Sequence, residues 1–153
     1  MAVLSNLEPK AVFEYFEKLC AVPHGSGNTK IISDLCVGFA KELGLKWRQD
    51  ELNNVVIWKD GTPGYEDAEP VILQGHMDMV CAKTEECSKD MAREGLDLAT
   101  DGEYVWAKET SLGGDNCIAV AMALAILADK SMPHPPLEAV FTVDEEVGME
   151  GAF

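Results

Sequence analysis

His76 and Asp78 stand two apart at the end of the apolar run Pro70 to Gly75, and in an extended segment such side chains point to the same face. That placement suits a metal site in which one ring nitrogen binds the ion and the acid steadies the ring. Asp115 offers a second carboxylate, preceded by Gly113 and Gly114, where the backbone can bend sharply; an aspartate there can equally serve as a helix N-cap. Glu145 and Glu146 close a further apolar run. Adjacent residues cannot share a face, so one acid can hold a metal while the other moves protons, the two tasks of metal-assisted hydrolysis. Each spot alone has a structural explanation: a satisfied strand histidine, a cap, an exposed acidic turn. Together they offer nitrogen and oxygen ligands suited to zinc or a similar divalent ion.

The elements that must position them follow from periodicity. Pro9 to Cys20 is predicted as a helix, with Val12, Phe13, Phe16, Leu19 and Cys20 at helical spacing. After the loop His24 to Asn28, Thr29 can cap a second helix that ends before Gly44. Leu45 to Arg48 and Asn54 to Trp58 read as neighbouring strands, and Gly61 to Glu69 as a surface loop. Pro70 to Gly75 is short and almost continuously apolar, as expected of a strand buried on both faces. Cys81 to Leu98 is a long irregular loop, and Asp101-Gly102 signals a hairpin. Cys117 to Asp129 is apolar all round, which predicts a buried helix, and Leu137 to Val143 is a last buried strand. The histidines His24 and His134 lie in glycine- or proline-rich loops and are expected at the surface. Strand, helix and strand in this order, with polar residues at the carboxyl ends of the strands, predict a three-layer α/β domain.

The bulk properties narrow the function classes. The chain of 153 residues is one domain's worth, and 47% hydrophobic content with mean hydropathy of -0.03 describes a soluble globular protein. Twelve Lys and Arg against 27 Asp and Glu give a net charge of -15, which argues against nucleic acid or an anionic membrane as partner. The five cysteines form no CxxC pair, and free thiols in a reducing cytosol explain them better than a disulfide framework. With no signal-peptide pattern at Met1 to Asn6 and no membrane-length apolar stretch, a cytoplasmic protein is expected. No GxGxxG or GxxxxGK[ST] run supports a nucleotide-binding domain.

Taken in order and spacing, the segments LQGHMDMV, TSLGGDNCIAVAMALAILAD and FTVDEEVGMEGAF resemble the catalytic-domain motifs of the M20 metallopeptidases, in particular their aminoacyl-histidine dipeptidases. The resemblance implies an α/β/α zinc-peptidase-like catalytic domain with two co-catalytic zinc ions that hydrolyses small peptides, Xaa-His dipeptides among them. Manganese or cobalt could occupy such ligands as well. By the same resemblance, His76 is a ligand of one zinc, Asp115 the bridging carboxylate and Glu146 a ligand of the other zinc. Asp78 orients the imidazole, and Glu145 is the general base that takes a proton from the attacking water and passes it to the leaving amine. The family also tends to have a strained peptide bond after the bridging aspartate, here Asp115-Asn116.

The family completes each zinc with a further Asp and His downstream of the acidic pair, and carries an inserted lid or dimerisation domain. Neither is matched here, so residues 1–153 are expected to be the amino-terminal part of the catalytic domain, truncated before the later strands, with an exposed sheet edge and an apolar face. Alone, such a piece should bind zinc poorly and show little peptidase activity, whereas a full-length protein could form a homodimer. The alternative is a non-catalytic acidic interaction module on a decayed peptidase fold, against which the intact set His76, Asp78, Asp115, Glu145 and Glu146 argues.

Overall fold

The elements that carry the site begin where the chain chemistry places them. In the computed structural model, which describes residues 2–152, helix α1 (Lys10–Cys20) starts directly after Pro9 and buries Val12, Phe16, Leu19 and Cys20. Helix α2 (Lys30–Glu42) buries Ile32, Cys36, Val37, Phe39 and Ala40. It ends as the Gly44 pattern predicts. Gly44 adopts φ 68°, and Leu45 N–H returns to the Ala40 carbonyl at 2.9 Å while Gly44 N–H bonds the Lys41 carbonyl at 3.1 Å, the Schellman arrangement that satisfies a helix's last carbonyls.

Strands β1 (Lys46–Gln49), β2 (Val55–Lys59), β3 (Val71–His76) and β6 (Leu137–Thr142) form a four-stranded sheet in the order β1-β2-β6-β3. Strand β6 is central, antiparallel to β2 and parallel to β3. Strands β4 (Leu98–Thr100) and β5 (Val105–Ala107) make a separate hairpin on either side of Asp101-Gly102, with Gly102 at φ 96°. The register puts Val55, Ile57, Leu73, Gly75, Ala139 and Phe141 on one face. Helix α3 (Gly114–Ala128) closes over Gly75, where an added Cβ would lie 3.2 Å from the Ala119 Cβ. Tyr15 of α1 meets Phe39 of α2 edge-to-face at 5.1 Å, and Lys41 of α2 lies over the Trp47 ring. All three helices therefore share the face of the sheet that holds Ile57 and Phe141, and bury one hydrophobic core with it.

Residues 2–152 thus supply the sheet and one helical layer of the expected α/β architecture. The opposite face, with Val56, Trp58 and Val140, is only half-buried.

Three expectations need correction. Strand β3 is not buried on both faces: among the described residues it pairs only with β6, which leaves one edge open and Val71 and Ile72 44% and 62% exposed. Helix α3 is not buried all round, because the sheet and α1 cover only one side and Met122 points away, half exposed. Neither His24 nor His134 is a surface residue, their exposures being 2% and 5%. Their loops fold inward because neighbouring groups satisfy their backbone: His134 N–H donates to Thr62 Oγ1 at 2.9 Å, and Met79 N–H donates to the His24 carbonyl at 3.1 Å.

Candidate metal centre

At the carboxyl ends of β3 and β6 three segments converge: the continuation of β3 through Asp78, the start of α3, and the acidic turn after β6. Parallel pairing in register, His76 opposite Thr142, delivers the first and third to the same end of the sheet, where open α/β sheets gather ligands. His76 is buried. Its Nδ1 lies 3.1 Å from the Asp78 backbone carbonyl; a carbonyl only accepts, so Nδ1 carries the proton of that bond. Nε2 then faces Asp115 Oδ1 at 3.2 Å and Glu145 Oε2 at 3.7 Å. Ligand atoms of His76, Glu145 and Glu146 all lie within 4.8 Å of one another.

The glycines before Asp115 have specific tasks. Gly113 stands at φ 65° in the left-handed region, where a Cβ would lie 2.8 Å from the Met79 sulfur and 3.2 Å from His24 Nε2. The cap reading of Asp115 is resolved as well. No side-chain cap bond forms at the start of α3, Asp115 and Asn116 keep non-helical backbone angles, and the carboxylate turns to His76 instead. The Asp115-Asn116 peptide is cis, as the resemblance implied.

Asp78 is fully buried, yet the imidazole is not its main partner. Its Oδ1 is 3.4 Å from His76 Nδ1, while it accepts the Glu145 N–H at 3.1 Å and Oδ2 accepts the Ser26 hydroxyl at 2.7 Å and the Glu146 N–H at 3.4 Å. The carboxylate thus ties the acidic turn to the histidine strand. Glu145 remains 42% exposed and Asp115 86% exposed, so both stay open to a ligand. Ser26 escaped the sequence reading because a serine in a Gly-Ser-Gly loop carries no signal of its own, and its partner is 52 residues away.

The donor set fits a divalent cation. His76 Nε2 and the carboxylate oxygens are ligand atoms turned toward one another, and among the described residues no Lys or Arg pairs with Asp78, Asp115, Glu145 or Glu146 within 4.0 Å. Mutual repulsion among these acids beside the buried His76 is relieved by a positive charge between them.

His24 lies behind this centre. Its Nδ1 bonds the Val22 carbonyl at 2.7 Å, and Nε2 is buried without a partner among the described residues. Burial holds its imidazole below the ordinary 6.5, against smaller opposing effects of the Val22 carbonyl and the Asp78 charge. A lowered folded-state value means the unfolded chain takes the proton first. The contribution is therefore complete above pH 6.5 and is lost as pH falls below it toward the folded-state value. Urea melts between pH 7.5 and 5.5 should show the wild-type midpoint dropping with acidity, and His24→Gln should remove part of that slope; an unchanged slope in the variant would count against a neutral, buried His24.

No family model matches the chain. Over 153 residues it is 42% identical to the Cytosol non-specific dipeptidase of Escherichia coli (strain K12), covering 100% of this chain and 32% of that protein. The crystal structure of the aminoacylhistidine dipeptidase from Vibrio alginolyticus superposes with a TM-score of 0.94 at 42% identity, over 98% of this chain and 31% of the other. A tripeptidase from Staphylococcus aureus shares the fold, with a TM-score of 0.75 at 24% identity, over 94% of this chain and 38% of its own. The chain spans about a third of the length of these relatives.

Proposed function

We propose that this chain, a relative of the aminoacylhistidine dipeptidases and with them of the M20 metallopeptidases, forms the amino-terminal part of the catalytic domain of a cytosolic, metal-dependent dipeptidase acting on Xaa-His substrates. The observation that carries this reading is the convergence of His76 Nε2 with the carboxylates of Asp115 and Glu145, with Glu146 alongside and no cationic side chain paired with them among the described residues. His76, Asp115 and Glu146 would hold the metal, zinc by the family resemblance. When bound, the metal supplies a Lewis acid that polarises the scissile carbonyl and makes water more acidic.

The chain's own residues do the rest. Glu145, half exposed at the mouth of the centre, takes a proton from the attacking water and returns it to the leaving amine. Asp78 keeps Glu145 and Glu146 at a fixed distance from His76 through the two backbone bonds. The His76 ring is set by its Nδ1 bond to the Asp78 carbonyl, so Nε2 stays free to ligate.

The test is metal dependence. In the complete protein that carries this chain, stripping with chelator should abolish hydrolysis of an Xaa-His dipeptide and zinc, manganese or cobalt should restore it, and calorimetry should detect zinc binding that His76→Ala abolishes. Hydrolysis indifferent to chelation, or no divalent-ion binding, would overturn the reading. Residues 1–153 alone are expected to show little activity.

A further inference from the structure

The loop His24 to Gly27 grips the candidate centre from outside at two points. Ser26 donates its hydroxyl to Asp78 Oδ2 at 2.7 Å, and Gly27 N–H donates to Asp144 Oδ1 at 2.7 Å, on the residue immediately before the acidic pair. The loop is itself fixed to the strand end, since Met79 N–H bonds the His24 carbonyl at 3.1 Å and Ser26 N–H bonds the Met79 carbonyl at 3.2 Å. The Ser26 hydroxyl has one proton and two acceptors in range, the Asp78 carboxylate and the Met79 carbonyl at 3.5 Å. The short bond to a charged oxygen wins.

We propose that Ser26 is a positioning residue of the metal centre, acting through Asp78. This rests on the reading of the site as a metallohydrolase centre. A carboxylate turns easily about its Cβ–Cγ bond, a torsion with broad minima. At Asp78 one oxygen faces the Glu145 N–H, and the other faces the Glu146 N–H and Ser26. Of these donors the hydroxyl makes the shortest bond, and it comes from a loop outside the acidic turn. It therefore holds the carboxylate plane while the turn hangs from it. Without the hydroxyl the plane can rotate, and both glutamates move relative to His76.

Zinc affinity reads this out directly, measured by calorimetry on the purified complete protein that carries this chain and accompanied by cobalt absorption spectra and metal-free melting temperatures. Ser26→Ala, and Ser26→Cys, which keeps the size but loses the strong donor, should bind zinc about tenfold more weakly, at the low end of the 10 to 100-fold range for groups that orient ligands, with altered cobalt spectra. Ser26→Thr should bind within about twofold of wild type. In an Asp78→Asn background the Ser26 substitutions should add a smaller loss than in the wild-type protein, because the charged acceptor through which Ser26 acts is gone. Wild-type affinity in Ser26→Ala and Ser26→Cys overturns the proposal, as does a Ser26→Thr protein as weak as Ser26→Ala or a loss that persists undiminished beside Asp78→Asn. Absence of zinc binding in the wild-type protein overturns the metal-centre reading and this inference with it, whereas wild-type binding with indifferent Ser26 variants overturns this inference alone.

Discussion

Asp78→Ala should be the most damaging polar substitution in this protein, lowering stability by about 3 kcal/mol and removing measurable zinc binding. The figure comes from the groups left behind. The Ser26 hydroxyl and the Glu145 and Glu146 N–H groups lose this acceptor; a buried donor without a partner costs about 1–3 kcal/mol, and these part-buried donors lie toward the low end. Two terms reduce the sum: the Glu146 bond is long at 3.4 Å, and deleting a fully buried carboxylate also deletes its desolvation cost. In a chain of this size about 2–4 °C of melting temperature accompanies each kcal/mol, so a drop of roughly 6–12 °C is the expected result. Asp78→Asn should cost less, because the amide oxygen can still serve one set of donors while the NH2 must face a former donor. A melting temperature for Asp78→Ala within a degree or two of wild type would mean that the carboxylate does not hold the acidic turn.

Zinc binding should fail in Asp78→Ala for a related reason. The acidic turn is an exposed surface segment, and its placement depends on N–H groups reaching into the buried carboxylate. Once that link is cut, Glu145 and Glu146 repel each other and Asp115, and only Asp144 keeps a tie to the His24 to Gly27 loop, through the Gly27 N–H; among the described residues no Lys or Arg pairs with these acids. Calorimetry on the folded variant separates this loss from instability.

How much of this could be read from the chain depends on the range of each interaction. The helices α1 and α2, the β1 and β2 pair and the β4-β5 hairpin follow from local periodicity and turn chemistry, because Pro9, Gly44 and Asp101-Gly102 act on the residues beside them. The ligand-bearing residues are legible too, since strand ends and a glycine-bounded helix start are sequence features. Burial is not. Pro70 to Gly75 has the composition of a central strand, yet among the described residues only β6 pairs with it, and apolar composition does not say which edge or face stays open. His24 looks exposed because glycine loops usually are, but it is buried by the Met79 backbone, 55 positions away by number. Asp78 was expected to serve the imidazole; which of its atoms does so, the carbonyl rather than the carboxylate, is decided by a backbone turn that no residue type announces.

In the complete protein that carries this chain, Glu145→Gln should lower kcat/KM for an Xaa-His dipeptide by about 10²–10⁴, the usual contribution of a positioned general base, equivalent to roughly 3–5 kcal/mol of barrier. The geometry makes this substitution a test of assignment as well as of magnitude. Glu145 Oε2 lies 3.7 Å from His76 Nε2, and Glu145 shares with Glu146 a cluster of ligand atoms within 4.8 Å, so proximity alone lets either acid ligate. If Glu145 moves protons and Glu146 ligates, Glu145→Gln keeps zinc affinity within a few-fold while turnover collapses, because the amide fills the same space without accepting a proton. Glu146→Gln then does the reverse at the binding step, with zinc affinity falling before turnover can be measured. The two backbone bonds to Asp78 are untouched by either change, so melting temperatures of the metal-free variants should stay close to wild type. A Glu145→Gln protein that loses zinc as completely as Glu146→Gln would exchange or merge the two roles, and one that hydrolyses dipeptide at the wild-type rate would remove Glu145 from the chemistry altogether.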